Sequence, residues 1–574
     1  PFYGGTYFPV SPRYGRPGFL DSLKAIRRFY DVEKEKLQEV TGEIVTQLEN
    51  SALLPVVEDP LPETLLLRGV EVATSILDNR GQGPSFPMMP YAGLALRGDR
   101  FSYSSRYDGA QVCFRRGQNL ALGGIYDHVG GGFHRYTVDG TWTVPHFEKM
   151  LYDNGQILEY LADLWSCGWQ EPAFARAIAG TVQWLQREMT APEGYFYASQ
   201  DADNFATPSA AEPEEGLFYV WSFSELEMLL DREELQTLQA EFSVSPEGNF
   251  EGQTVLQRNE LGELSAATLS ALDKLFTARY GSEPEVFADT TFPPAVDANA
   301  AKTGDWPGRI PPVTDPKLIV AWNSLVISGL ARAAAALGEP NYRELAIQAA
   351  DFIWEHQRRG DRLLRLNYQG TPAQAAQAED YALLIKAFLD LQASAPADPR
   401  AEDWIARALQ LQAEFDLDFW DAAGSGGYFN AASDAGQDLL VRERSYIDNA
   451  TPAANGVAAA NLVRLHLLTE QLAFLNRAEA LLKALAGPMQ STPQACPSLF
   501  VALDWYRNAV LARADRSFLT DLVRQYFPTC NPRLEVALPD GAAALVCRGL
   551  ACLPAKSDRE GAFAQIRQAQ VRAY

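Results

Sequence analysis

One pattern runs through most of this 574-residue chain and limits the folds open to it. Apolar residues recur about every 3.6 positions through long segments, and those segments arrive in consecutive pairs. The spacing predicts helices over 63–79 and 106–122, 146–167 and 171–189, 316–337 and 341–358, 378–393 and 401–419, and 452–470 and 473–486. A weaker pair lies near 497–510 and 517–527. Pro145, Pro316, Pro340, Pro452 and Pro497 stand at or near expected first turns, where a missing N–H is harmless. Six hairpins of this kind can alternate inner and outer helices and close into a mainly α fold, an (α/α)6 toroid, with a funnel lined by the inner-helix ends. An open α-solenoid would use similar pairs, but no repeat of fixed residue identity is visible.

Length alone calls for more than one compact core. A long excursion, residues 190–315, interrupts the helix pairs; it carries the strand-like YFYAS and LFYVW, an acidic loop and a helix near 265–280. Residues 528–574 read as short strands with one terminal helix, and Leu54–Pro62 reads as a linker. The expected division is therefore 1–55, 56–527 with its insertion, and 528–574. A formal charge of −24 argues against nucleic acid and anionic membranes, which need a basic face. No apolar run approaches the roughly 20 residues that span a bilayer. Six scattered cysteines form no C-x-x-C, and Cys547 and Cys552 are expected to be buried reduced thiols, which suits a cytoplasmic location. Pro1 is no initiator, so the chain is expected to continue upstream.

Gly123–Gln156 is the densest stretch of reactive side chains. Three of the chain's five histidines, His128, His134 and His146, lie within it beside Tyr126, Asp127, Phe133, Arg135, Trp142, Glu148, Tyr152 and Asp153. Glycines between them allow a backbone to pass close to a ligand, and Arg135 could hold an anionic group. A helix beginning at Pro145 would put His146 in a first turn, where the dipole favours a neutral imidazole able to accept a proton, with Glu148 ionised. The segment YFYASQDAD ends in Asp201 and Asp203, two positions apart, and close carboxylates push one pKa up. Trp322, Asn323, Glu379, Asp380, Tyr381, Tyr428 and Asp448 fall at or near expected helix starts or loops and complete an aromatic and amide-rich lining suited to sugar rings. The histidines carry no carboxylate pattern of metal-ligand spacing, so no metal and no cofactor are expected, and neither G-x-S-x-G nor a phosphate-binding loop occurs.

The ordered motifs PFYGGTYFP, YGRPGFL, GGIYDHVGGGFHRY, VPHFEKMLYDN, YASQDAD, AWNSLVIS, EDYALL and GGYFN closely resemble the thioredoxin-domain proteins related to spermatogenesis-associated protein 20. The resemblance implies a thioredoxin-like α/β domain followed by a helical domain similar to the six-hairpin glycosidases and N-acylglucosamine 2-epimerases. Residues 1–55 would then be the C-terminal remnant of that first domain, without its cysteine-bearing part. Ser85 stands where the family usually shows lysine. No catalytic residue of the sugar enzymes aligns by motif.

The leading expectation is carbohydrate processing of a small saccharide in the funnel. A glycoside hydrolase would draw two carboxylates from Glu148, Asp201, Asp203 and Asp380. A sugar 2-epimerase or isomerase would use histidine bases, His134 and His146. The alternative from another class is a non-enzymatic binding module coupled to the thioredoxin-like redox domain.

Overall fold

The computed structural model describes residues 2–571 except 7, 14, 53, 55, 56, 79, 80, 82, 289, 423, 425, 436–438 and 550. In the first 52 residues, α1 (Phe19–Val32) and α2 (Lys34–Ala52) are the regular elements among the described residues, with a single Arg13–Arg16 bridge. The thioredoxin-like reading of this part rests on the sequence resemblance alone, and the boundary expected at 55/56 lies outside the described residues.

Helices then follow in strict alternation. The chain runs through α3 (Leu65–Asp78), α4 (Met89–Gly98), α5 (Gly109–Leu122), α6 (Leu151–Ser166) and α7 (Pro172–Trp184). The excursion contributes α8 (Phe223–Leu229), α9 (Arg232–Glu241), α10 (Ala266–Tyr280) and α11 (Ala298–Thr303). Next come α12 (Val320–Leu337), α13 (Pro340–His356), α14 (Ala378–Ser394), α15 (Ala401–Phe419), α16 (Ala454–Thr469), α17 (Leu472–Ala484), α18 (Ala486–Ser491) and α19 (Pro497–Asn508). Around the molecule, α4, α6, α12, α14, α16 and α19 each pack on the next, and α19 returns to α4. Outside this ring α5, α7, α13, α15, α17 and α3 each bridge two neighbouring inner helices. The result is an (α/α)6 toroid.

The inner helices are apolar on nearly every side because neighbours surround them. Val320–Leu337 is long and apolar enough to cross a membrane by length and composition, yet 78% of it is buried as one wall of the ring. Glycine sets one of the closest approaches. A Cβ on Gly155 of α6 would meet the backbone of Leu325 and Val326, and one on Gly329 of α12 would meet Gly155 O. Only residues without a Cβ let these two backbones touch.

Two expectations about pairing are corrected. Residues 63–79 and 106–122 are not partners in one hairpin but consecutive outer helices, with α4 as the inner helix between them. The partner of α19 is α3, and the seam is held by Arg507, whose guanidinium donates to the carbonyls of Leu61, Pro62 and Glu63. The helix expected near 517–527 is the short α20 (Arg516–Leu522), which joins a C-terminal sheet of strands 510–514, 530–534, 544–548 and 551–552 covered by α21 (Arg559–Ala569). The expected strand in LFYVW is instead a turn at Gly216–Tyr219, entered through Gly216 at φ +80°.

Cys547 and Cys552 face each other across adjacent antiparallel strands and form a disulfide, against the expectation of free thiols.

Candidate functional site at the mouth of the barrel

The helix expected from Pro145 begins at Leu151 instead, and the residues before it are extended. Pro145–His146 pairs with Tyr136–Thr137, while Lys149–Met150 pairs with Ser199–Gln200, which in turn pairs with Thr314–Asp315. Extended backbone alternates its side chains, so Phe147 and Lys149 point inward while His146 and Glu148 point outward. His146 therefore stands in no helix dipole.

Lys149 is fully buried. Its Nζ lies 2.9 Å from Asp127 Oδ2 and donates to Gly131 O at 2.7 Å, and Arg279 of α10 binds the same carboxylate at 2.8 Å. Burial pushes the Asp127 carboxyl up, but the two cations outweigh it and hold it well below the usual range. This ion cluster fastens the excursion to the Gly-rich loop.

The outward residues converge on one patch at the start of α6. His146 Nδ1 lies 2.7 Å from Glu215 Oε1, and its Nε2 is 3.8 Å from Glu148 Oε2. Arg135 donates to Glu148 at 3.1 Å. Tyr152 and Asp153 sit beside that pair in the first turn of α6, with burial and then the Asp153 charge raising the Tyr152 hydroxyl to about 12. The Tyr152 ring meets Trp322 of α12 edge-on at 4.9 Å. Asp153 is buried, and its Oδ2 has no hydrogen-bond partner among the described residues. Burial raises its carboxyl well above the usual range, against the pull of Arg135 and with the help of Glu148. Asp201 and Asp203 form the exposed rim, and burial followed by the charges of Asp201 and Glu215 raises Asp203.

Other residues of the expected site lie elsewhere in the packing. His134 is buried, with Nδ1 2.8 Å from Phe147 O and its ring edge-on to Phe147 and Tyr219; burial, then Lys149, lowers it to about 3. His128 lies between Tyr126 and Phe242 with Nε2 3.1 Å from Gly123 O, and burial lowers it to about 3 as well. Tyr126 and Phe133 form a backbone bridge in the same loop, and Trp142 is buried under the Arg116 guanidinium. Asn323 binds both backbone groups of Phe196. Tyr381 accepts from Leu363 N, and Tyr428 donates to Asp416 at 2.6 Å.

Further along the same end of the ring, Arg365 holds Glu379 at 2.6 Å and Asp380 at 2.9 Å. Asp448 accepts from Ala453 N and from Ser498 N and Oγ, so it fastens the starts of α16 and α19; burial nevertheless raises it to about 7. Among the described residues no group of three or more His, Cys, Asp or Glu is placed to hold a metal ion.

Below the mouth the six inner helices enclose an axial cavity of about 290 Å³ that sequence reasoning missed entirely. Lys386 bridges Glu159 at 2.9 Å and Asp390 at 2.7 Å, Arg464 binds Asp390 at 2.8 Å, and Arg332 binds Asp163 at 2.6 Å. Segment 522–532 closes the far end, where Arg332 donates to Val523 O. The available signal was charge inside otherwise apolar helix segments, Lys386 and Asp390 in YALLIKAFLD and Arg464 in AAANLVRLHLL. Glu215 and Arg365 were missed for lack of any local pattern.

No family model matches the chain. Spermatogenesis-associated protein 20 of Homo sapiens is 30% identical over 554 residues, covering 88% of this chain and 66% of the relative. Its Mus musculus counterpart is 31% identical over 539 residues, covering 87% and 65%. An uncharacterized protein of Caenorhabditis elegans is 27% identical over 537 residues, covering 88% and 70%. The chain thus spans just under two thirds of the length of the mammalian relatives. Among solved structures it is similar to a D-mannose isomerase, at 10% identity and a TM-score of 0.44 over 75% of this chain and 88% of that one. A cellobiose 2-epimerase from Spirochaeta thermophila gives 12% identity and a TM-score of 0.40 over 73% and 85%. The toroid stands on the closed ring of helices itself. By sequence, the chain is a homologue of the proteins named spermatogenesis-associated protein 20.

Proposed function

We propose that this protein processes a small saccharide at the barrel mouth by acid–base chemistry on two carboxyl groups, Asp153 and Glu148. The observation that carries this reading is their contrast in one patch: Asp153 is buried, its Oδ2 without a partner among the described residues and its carboxyl raised well above the usual range, while Glu148 is partly exposed and ion-paired with Arg135. Carboxyl groups whose environments differ in this way can divide acid and base roles in glycoside cleavage. Asp153 would protonate the leaving oxygen. Glu148 would activate water or attack the anomeric carbon. Tyr152 and Trp322 offer apolar faces for the ring, and Arg135 pairs with Glu148. His134 is sequestered and points to no paired histidine mechanism, whereas His146 beside Glu215 remains reachable.

Proton NMR of the purified protein with mono- and disaccharides in D2O tests this. New reducing-end signals, lost in Asp153→Asn and Glu148→Gln, are the expected result. Exchange of a C2 proton that depends on His146 would transfer the site to epimerisation. No turnover with any sugar would favour a binding module.

A further inference from the structure

We propose that the axial cavity beneath the mouth is a binding site for a small organic anion, held on Arg464. The cavity, about 290 Å³, falls just below the roughly 300–1,000 Å³ usual for ligand sites, which suits a small ligand. Its charged wall carries Arg97, Arg332, Lys386 and Arg464 against only Glu159, Asp163 and Asp390. Asp504, behind Arg97, does not redress the difference, because Arg100 binds it too.

Arg464 is where the surplus collects. Its side chain is 7% exposed, and its one ion pair among the described residues is Nη1 on Asp390, a carboxylate already shared with Lys386. Its Nε has no hydrogen-bond partner among the described residues. Arg464 lines the cavity, and a carboxylate or phosphate supplies the planar or multidentate oxygens that match a guanidinium. The Arg464 guanidinium lies 5.6 Å from the Trp505 ring, while Val457 and Ala460 on the same helix give an apolar wall for a carbon skeleton. Met89, Gln156 and Ser498 line the opposite end, so the cavity extends toward the mouth. This site stands independently of which reaction, if any, runs at the mouth.

Isothermal titration of the full chain with D-glucuronate, inorganic phosphate and neutral D-glucose is the test. The expected result is binding of at least one anion about tenfold or more tighter than glucose. Arg464→Met should weaken that binding about tenfold or more, with Arg464→Lys intermediate. Ala460→Phe, which fills the cavity and leaves every charge in place, should abolish it. The anion that binds tells a carboxylate site from a phosphate site. Equal affinity for glucose, no anion binding, or undiminished binding by a folded Ala460→Phe protein would overturn the proposal, and the last measurement decides even where Arg464→Met does not fold.

Discussion

Asp380 on α14 accepts the backbone N–H of Ala321 on α12 at 3.1 Å, so one carboxylate ties the first turns of two adjacent inner helices. The same side chain accepts from Gln377 N and binds Arg365. Its expected role in the chemistry is thus joined by a structural one. Burial raises it to about 6 although Arg365 pulls the other way. Asp380→Ala leaves Arg365 short of a partner and two helix starts uncapped, and a loss of about 3–5 kcal/mol in urea unfolding is expected. A loss below about 1 kcal/mol would show that Glu379 alone suffices for Arg365.

The buried trio Asp127, Lys149 and Arg279 gives a ranking. Removing Asp127 strands two cations in the core, so Asp127→Ala should cost about 3–5 kcal/mol or prevent folding. Lys149→Met leaves the Asp127–Arg279 pair intact and neutral overall, and should cost less, about 1–3 kcal/mol. Unfolding midpoints of the two variants compare them directly. The reverse order would mean that the Lys149 bond to Gly131 O matters more than charge balance.

His128 and His134, both lowered to about 3, should keep neutral ring signals in NMR titrations from pH 8 to 5. A lowered histidine stabilises the fold fully above its ordinary value near 6.5 and loses that contribution as pH falls toward 3. Each should remove up to about 1.4 kcal/mol per pH unit in that window. His128→Gln should flatten the acid limb. A ring that titrates near 6.5 would place it in contact with water.

Asp448 works in the opposite sense. Its carboxyl is raised to about 7, so its contribution is whole below its ordinary value near 3.8 and is lost as pH rises through 7. Between pH 5 and 8 the wild type should lose about 2–3 kcal/mol from this group. Asp448→Asn should be less stable at pH 5, where its amide faces donors from Ser498, but should lack that slope. An unchanged slope would assign the pH dependence to other groups.

Helix periodicity made the toroid legible, because outer helices carry an apolar stripe and inner helices are apolar on nearly every side. The helix α4 escaped because Pro90, Gly93 and Gly98 crowd its ten residues and mimic a loop. The start of α6 was misplaced for a different reason. In HFEKM the inward position 149 is a lysine, and the groups that make its burial tolerable, the Asp127 carboxylate and Gly131 O, come from the folded Gly-rich loop before it. No local periodicity can announce a pairing that only the folded loop creates. Arg135, His146, Glu148, Tyr152 and Asp153 were legible as a group by simple density, while Glu215 joined them only through the fold.

The seam between α3 and α19 carries a consequence for biogenesis. The first helix of the toroid meets its inner-ring partner more than four hundred residues later, where Phe500 lies within 2.5 Å of a Cβ placed on Gly69. During synthesis the early hairpins can form locally, but the circle stays open until α19 has left the ribosome. Until then α3 keeps an unpaired apolar flank, and a nascent chain stalled before residue 500 should be a substrate for chaperones.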